Sequence, residues 1–218
     1  MQETCVCCGG KLNDTMVTGL GRCQTCGHYS IYEPIGTEKY DESYLHKYDE
    51  YEKTDLGRRI NSSRWALVSR HLQGHRRILD WGCGNGAFAR SSFNGYYVAG
   101  YDINPHSPFS DPALYRMSWD GVTMWDVIEH MVDPNRFLKG MKSEYLFVVT
   151  PDADSAPEDF ASWKHYRPDE HQHYFTIPSL IGILERNGFA LKEINRNEAK
   201  IRDKGHPNAL VTVVGRRY

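Results

Sequence analysis

Three glycines at alternate positions, Gly82, Gly84 and Gly86, follow the apolar pair Ile78-Leu79 and the acid Asp80. They constrain the fold more than any other stretch of the chain. The run from Ile78 to Phe88 reads as a buried strand that ends in a tight turn and opens a helix. Glycine suits such a turn because it takes positive φ, and because without a Cβ it lets a ligand lie on the backbone. A second strand, Tyr97-Val98-Ala99-Gly100-Tyr101, ends in Asp102, twenty residues after Gly82. An acid at that place can accept hydrogen bonds from both hydroxyls of a ribose. Strand, glycine turn, helix, strand and acid together describe a nucleoside-binding βαβ unit; the bland alternative is any tight strand-to-helix turn.

The spacing narrows the nucleoside. Dinucleotide sites use G-x-G-x-x-G, with a third glycine set for helix packing beside a pyrophosphate. Here the pattern is G-x-G-x-G, and Asp80 precedes it by two residues. A carboxylate there repels a pyrophosphate but can hold an ammonium group, directly or through water. A ligand with a ribose at one end and an amino acid at the other satisfies both Asp80 and Asp102. The stretch resembles motif I of the class I S-adenosylmethionine-dependent methyltransferases, and Tyr101-Asp102-Ile103-Asn104 resembles their acidic ribose motif. The resemblance implies a doubly wound, Rossmann-like α/β sheet. It also implies S-adenosylmethionine as cofactor, held by Asp80, Gly82, Gly84, Gly86, Asp102, Ile103 and Asp126.

Residues 1–36 read as a separate unit. Cys5-x-x-Cys8 runs into Gly9-Gly10, and Cys23-x-x-Cys26 into Gly27-His28, with fourteen residues between the pairs. That spacing matches a closed, tetrahedral four-thiolate zinc site of structural type, a small zinc ribbon. The trailing glycines relieve each turn and let backbone N–H groups face sulfur. Cys7 is a possible substitute ligand, although only Cys5 and Cys8 reproduce the pattern of the second pair. Disulfides or free thiols are the alternatives. So short a segment has almost no core, and a metal would supply much of its folding free energy.

Residues 37–218 form the second expected domain, opening with a helical linker or lid over 37–76. Tyr40, Tyr44, Tyr48 and Tyr51 fall on one face of a helix, as a packing stripe or a lid. An amphipathic helix is expected over 58–72, ended by Gly74. After Asp102 the pattern breaks: 104–119 holds three prolines, and only a short strand near Leu114–Met117 fits. Met117, Ser118 and Trp119 are the nearest candidates for adenine contacts. From Trp119 to His130 the chain resembles the methyltransferase fourth strand, with Asp126-Val127-Ile128-Glu129-His130 like a subgroup of O- and sugar C-methyltransferases. The zinc unit ahead of the core also resembles the sugar C-methyltransferases. Asp133 caps a helix with Pro134 in its first turn. A strand is expected over Tyr145–Val149, then a long loop, 152–176, of the kind that carries function. Its His171-x-His173-Tyr174-Phe175-Thr176 resembles the substrate-facing loop of the same subgroup, which makes His171 and His130 the candidate bases. Histidine suits that role at neutral pH. A second metal site on His165, His171 and His173 is a weaker reading, because their spacing matches no tight ligand set. A helix over 177–187, a strand over 191–194 and a last strand over 209–215 close the sheet with an antiparallel pair.

The chain has 218 residues, with 40% hydrophobic and 25% charged, enough for one sizeable core and a small appendage. Its net charge of −2 gives no global case for nucleic acid or anionic membrane. It carries neither a transmembrane-length apolar run nor a signal-peptide core. A cytoplasmic enzyme acting on a small-molecule acceptor is therefore expected. Two rivals stand beside it. One is a nucleic-acid- or protein-binding zinc-ribbon module with a degenerate cofactor domain, for which the charges over 192–204 present a mixed surface. The other is a nicotinamide-dependent oxidoreductase, disfavoured by the glycine spacing.

Overall fold

In the computed structural model, residues 4–33, 36, 52–92, 95–203, 205–206 and 208–218 are described. The tyrosine stripe from Tyr40 to Tyr51 lies outside them, as does the first part of the expected linker, 37–51.

The chain first builds a small antiparallel sheet from β1 (Leu12–Asp14), β2 (Leu20–Cys23) and β3 (Tyr29–Ile31). Its fourth strand comes from far along the chain. β8 (His173–Tyr174), inside the long loop, pairs with β3 through Ser30 opposite His173 and Tyr29 opposite Tyr174. Ile31 N–H donates to Gln172 O, and the Gln172 amide returns a bond to Ile31 O at 2.7 Å. Cys5, Cys7, Leu12 and Cys23 share one buried cluster with Ile128, Leu180 and Ile183. The cysteine unit thus shares a buried core with residues that flank the larger sheet.

The larger sheet contains β4 (Arg76–Trp81), β5 (Tyr96–Tyr101), β6 (Ser118–Trp125), β7 (Lys142–Pro151), β9 (Phe189–Asn195) and β10 (Leu210–Arg217). Their order is β5-β4-β6-β7-β10-β9. The first four are parallel, and β10 runs antiparallel to both β7 and β9. This is a mixed α/β fold with a parallel-rich central sheet. The apolar runs of β4, β6, β7 and β10 explain its burial: Ile78, Leu79, Val122, Leu146 through Val149, Val211, Val213 and Val214 are fully enclosed. Each such side chain contributes about 1.5–3 kcal/mol of burial free energy.

Helix α1 (Asp55–His71) starts three residues before the sequence suggests, because Thr54 accepts a hydrogen bond from Gly57 N–H and caps it. Trp65 of α1 stacks on Phe88 of the short helix α2 (Ala87–Arg90) at 4.4 Å between centroids, and its indole N–H reaches Ser91 Oγ. Helix α3 (Pro134–Gly140) is capped by Asp133, and α4 (Ile177–Arg186) by Thr176, both with Pro in the first turn.

One expected element needs correction. Leu114–Met117 is not a strand: Pro112–Arg116 is a 3-10 helix capped by Asp111, whose carboxylate accepts from Ala113 N–H. Proline at the start of that turn has the φ a helix needs and no N–H to offer a ladder. The mixed charged stretch over 192–204 does keep Lys192 and Lys200 exposed, but not every charge in it faces solvent. It contains α5 (Asn197–Arg202), whose Glu198 is only 3% exposed. No helix among the described residues is long and apolar enough to cross a membrane.

Candidate active site

The chain passes from β4 to β5 on one side and back to β6 on the other, so the sheet's switch point lies between β4 and β6. Ligands of open α/β sheets bind outside the carboxyl ends of strands at such a point. Gly82, Asp102, Asp126 and Asp152 each follow one of the four parallel strands, which places them along this edge.

The glycine turn comes first. Gly82, Gly84 and Gly86 all have positive φ, at 75°, 57° and 81°. A Cβ on Gly82 would collide with Val127, and one on Gly86 would lie 2.6 Å from the Phe109 ring. At Gly84 a Cβ would meet nothing within 4 Å. Two of the glycines are therefore required by packing, while the third leaves its face open. Gly84 N–H donates to Asp102 Oδ2 at 2.6 Å, and Asn104 N–H to Asp102 Oδ1 at 2.8 Å. Each oxygen keeps a second lone pair, enough for a diol. Beside it Ile103 is 58% exposed, an apolar face next to a carboxylate.

In place of a third strand, the proline-rich segment folds back over this turn. Ser107 Oγ donates to Gly84 O at 3.0 Å, and Phe109 O accepts from Asp102 N–H at 2.6 Å. Neither Ser107 nor Phe109 carries a recognisable sequence signal. Trp119, in contrast, is misplaced for the adenine role. It sits at the amino-terminal start of β6, four residues before Thr123, which pairs in register with Asp80. At about 3.3 Å per residue that is some 13 Å towards the opposite edge. Met117 and Ser118 lie farther still.

Asp80 is 1% exposed, and its Oδ1 accepts the Thr123 hydroxyl at 2.7 Å. Burial pushes its carboxyl up to about 6, and the Asp102 charge adds to that, against the Thr123 bond and Arg64. Asp126 has φ of 57°, an uncommon value for a non-glycine residue. Its Oδ2 meets Arg202 at 2.6 Å and Arg64 at 3.7 Å, and both arginines also reach Glu198. Burial would raise the Asp126 carboxyl, but the two guanidinium charges outweigh it and hold it low. The i,i+4 pair Glu198 and Arg202 was the one sequence hint of this network.

His130 and His171 come together although 41 residues separate them: their rings meet edge to face, 4.7 Å apart and inclined at 86°. His130 Nδ1 contacts Glu170 O at 2.8 Å, and His171 Nδ1 contacts His165 O at 2.9 Å. A carbonyl only accepts, so each ring carries its proton on Nδ1 and presents a lone pair at Nε2. Burial lowers both imidazoles, His171 to about 3. Glu129 is buried beside them and pushed up to about 8, by burial first and the Asp126 charge second. His165 supplies a carbonyl, and His173 turns away to the small sheet, so the three loop histidines form no cluster of their own.

The cysteine unit repeats one knuckle twice. Cys5 N–H donates to Gly10 O and Gly9 N–H to Cys5 O; Cys23 N–H donates to His28 O and Gly27 N–H to Cys23 O. Gly9 and Gly27 take φ of 74° and 76°. The sulfurs of Cys5, Cys8, Cys23 and Cys26 lie within 4.8 Å of one another, with Cys5–Cys26 at 3.6 Å and Cys8–Cys23 at 3.4 Å. A tetrahedron with 2.3 Å metal–sulfur bonds has edges of about 3.8 Å, so the set fits such an ion. Gly10 N–H points at Cys8 Sγ from 3.4 Å. Cys7 is buried and its thiol pushed up, while its hydrogen bonds lower Cys5 and Cys26. Its single S–H proton can serve only one of these two sulfurs at a time. His28 Nδ1 adds a contact to Cys5 Sγ at 3.4 Å.

A sequence profile of the methyltransferase domain matches residues 48–194, well over half of the chain, and includes Gly82, Asp102, Asp126 and Asp152. This chain belongs to the methyltransferase-domain family. No curated protein matches the methyltransferase by sequence. Its fold is shared with solved structures. A Burkholderia thailandensis 1,6-didemethyltoxoflavin-N1-methyltransferase, with bound 1,6-didemethyltoxoflavin and S-adenosylhomocysteine, is 14% identical; it superposes over 94% of this chain and 98% of its own with a TM-score of 0.60. A SAM-dependent methyltransferase from Aquifex aeolicus is 15% identical over 83% of this chain and 100% of its own, TM-score 0.55. One from Archaeoglobus fulgidus is 18% identical over 81% and 100%, also at 0.55.

Proposed function

We propose that this methyltransferase moves the methyl group of S-adenosylmethionine to an oxygen or carbon of a small or medium polar acceptor. The observation that carries the reading is the open face over Gly84, bordered by the Asp102 carboxylate and exposed Ile103. The cofactor supplies an electrophilic methyl on a sulfonium, so the protein's contribution is mainly positioning. Asp102 accepts the ribose hydroxyls, Ile103 packs on the base, and the Gly82–Gly86 backbone lies along the amino-acid end. Asp80 contributes its charge from beneath the turn, because it is too deep for direct contact with an ammonium group. Asp126, aligned by Arg64 and Arg202, lines the methyl end. His130 and His171 form the polar wall at the acceptor, where their Nε2 edges orient it. The small-molecule acceptor of the Burkholderia enzyme supports an acceptor of that size class.

Residues 1–36 act as a zinc-ribbon-like unit on the 37–218 methyltransferase domain, with zinc held by Cys5, Cys8, Cys23 and Cys26. All four ion positions are filled by protein, so this zinc is structural. Thr176 Oγ1 donates to Cys26 O at 2.7 Å, so the second knuckle seats on the cap of α4 and steadies the loop that carries His171. An S-adenosylhomocysteine-release assay over sugars, phenols, carboxylates and amines tests the reading. Turnover with a hydroxyl or carbon acceptor is expected, and release confined to amines would overturn the assignment of the methylated atom.

A further inference from the structure

Glu129, His130 and His171 each offer one ligand atom, and these three atoms lie within 4.8 Å of one another. Two separate features set the group apart from ordinary core packing. Glu129 is 1% exposed; its Oε2 accepts the Thr150 hydroxyl at 3.0 Å, while its Oε1 is buried with no hydrogen-bond partner. A buried carboxylate oxygen left bare is costly unless a proton or a cation meets it. The second feature is the pair of backbone carbonyls, of Glu170 and His165, that fix the two imidazoles with Nδ1 protonated. Metal-ligating histidines are oriented by such a bond on the nitrogen that does not bind the ion.

We propose that Glu129, His130 and His171 bind one divalent first-row transition ion at the acceptor end of the site. The proposal rests on the methyl-transfer reading of this edge for its role, though not for its existence. Two imidazoles and one carboxylate are the donors of open zinc and non-haem iron(II) sites. Magnesium and calcium favour all-oxygen shells, and the set does not suit them. With ligand bonds of 2.0–2.2 Å, the three atoms would draw in to roughly 3.4 Å from one another. Three protein ligands leave coordination positions for an acceptor oxygen. An acceptor hydroxyl bound there ionises more readily, its proton passing to bulk water. The oxygen–methyl bond then forms as the sulfur–methyl bond breaks, and sulfur keeps the electron pair. His130 and His171 keep their place at the acceptor and act through the ion.

The test uses the full chain with zinc filling its four-cysteine set. Co²⁺ is titrated while visible absorption is recorded, because cobalt on thiolates gives a charge-transfer band that nitrogen and oxygen ligands do not. The wild-type chain should take up one Co²⁺ without that band. His171→Ala and Glu129→Gln should each weaken this uptake by more than about 10-fold. Glu129→Gln keeps the side chain's size, and S-adenosylhomocysteine binding by calorimetry reports whether either variant has kept its cofactor edge. Absence of Co²⁺ uptake beyond the thiolate set in the wild type would overturn the proposal, as would equal affinity in folded variants. Failure of S-adenosylhomocysteine to bind the wild type would instead remove the methyl-transfer reading, whatever cobalt does.

Discussion

The backbone N–H of Gly84 donates to Asp102 Oδ2 across 2.6 Å, so the turn after β4 is tied to the acid after β5 before any ligand arrives. The turn is held open by a bond rather than by strain alone. It also means that the two halves of the nucleoside motif are one mechanical unit, and substitutions in one should be felt in the other.

Within the turn, the three glycines should separate by function. Gly84→Ala places a Cβ in open space at positive φ, at a cost of about 1–2 kcal/mol of stability, and should block the cofactor. Gly82→Ala adds a collision with Val127 and should cost more than about 2 kcal/mol. Thermal unfolding with and without S-adenosylhomocysteine measures both. A Gly84→Ala protein stabilised by ligand as strongly as wild type would show that the cofactor lies elsewhere.

Asp80 gives a pH prediction. Its folded carboxyl is raised from 3.8 to about 6, so the native state holds this proton more tightly than the unfolded chain. Stability from this group therefore falls as pH rises from about 4 to 6, and the loss is complete above that. Asp80→Asn keeps an acceptor for Thr123 and removes the penalty, up to about 3 kcal/mol. The variant should melt higher than wild type at pH 7.5, with the gap closing towards pH 4. A constant gap across that range would place the ionisation elsewhere.

Metal removal should reach the long loop that carries His171. Cys23→Ser should carry roughly one zinc per chain fewer than the wild type, whereas Cys7→Ser and Cys83→Ser should match the wild type. Because β3 carries β8, zinc loss should speed amide exchange at Ile31, which donates to Gln172 O. Unchanged exchange there in the zinc-free protein would show that the knuckles and the loop are independent.

Much of this was legible in the sequence wherever the signal is local. The glycine turn, the Asp133-Pro134 cap and the two cysteine knuckles each depend on residues a few positions apart. What was missed is long-range. His171 meets His130, Arg202 meets Asp126, and His173 joins a sheet begun at Leu12; no periodicity encodes such pairings. Trp119 shows the related error of direction. Its neighbours identify the strand, but only register against β4 reveals which end faces the cofactor. Over Leu114–Met117 the short apolar run fits a strand by pattern, whereas the Asp111 cap and Pro112 ahead of it set a 3-10 helix over Pro112–Arg116.

Calorimetric titration of S-adenosylhomocysteine into the wild-type chain and into Asp102→Ala and Asp102→Asn tests the central claim most directly. The account predicts saturable binding of one ligand per wild-type chain. Asp102→Ala should lose about 1.5–3 kcal/mol of affinity, and Asp102→Asn, which retains one acceptor oxygen, should lose less. Absence of binding to the wild type, or an unchanged dissociation constant in a folded Asp102→Ala protein, would contradict it.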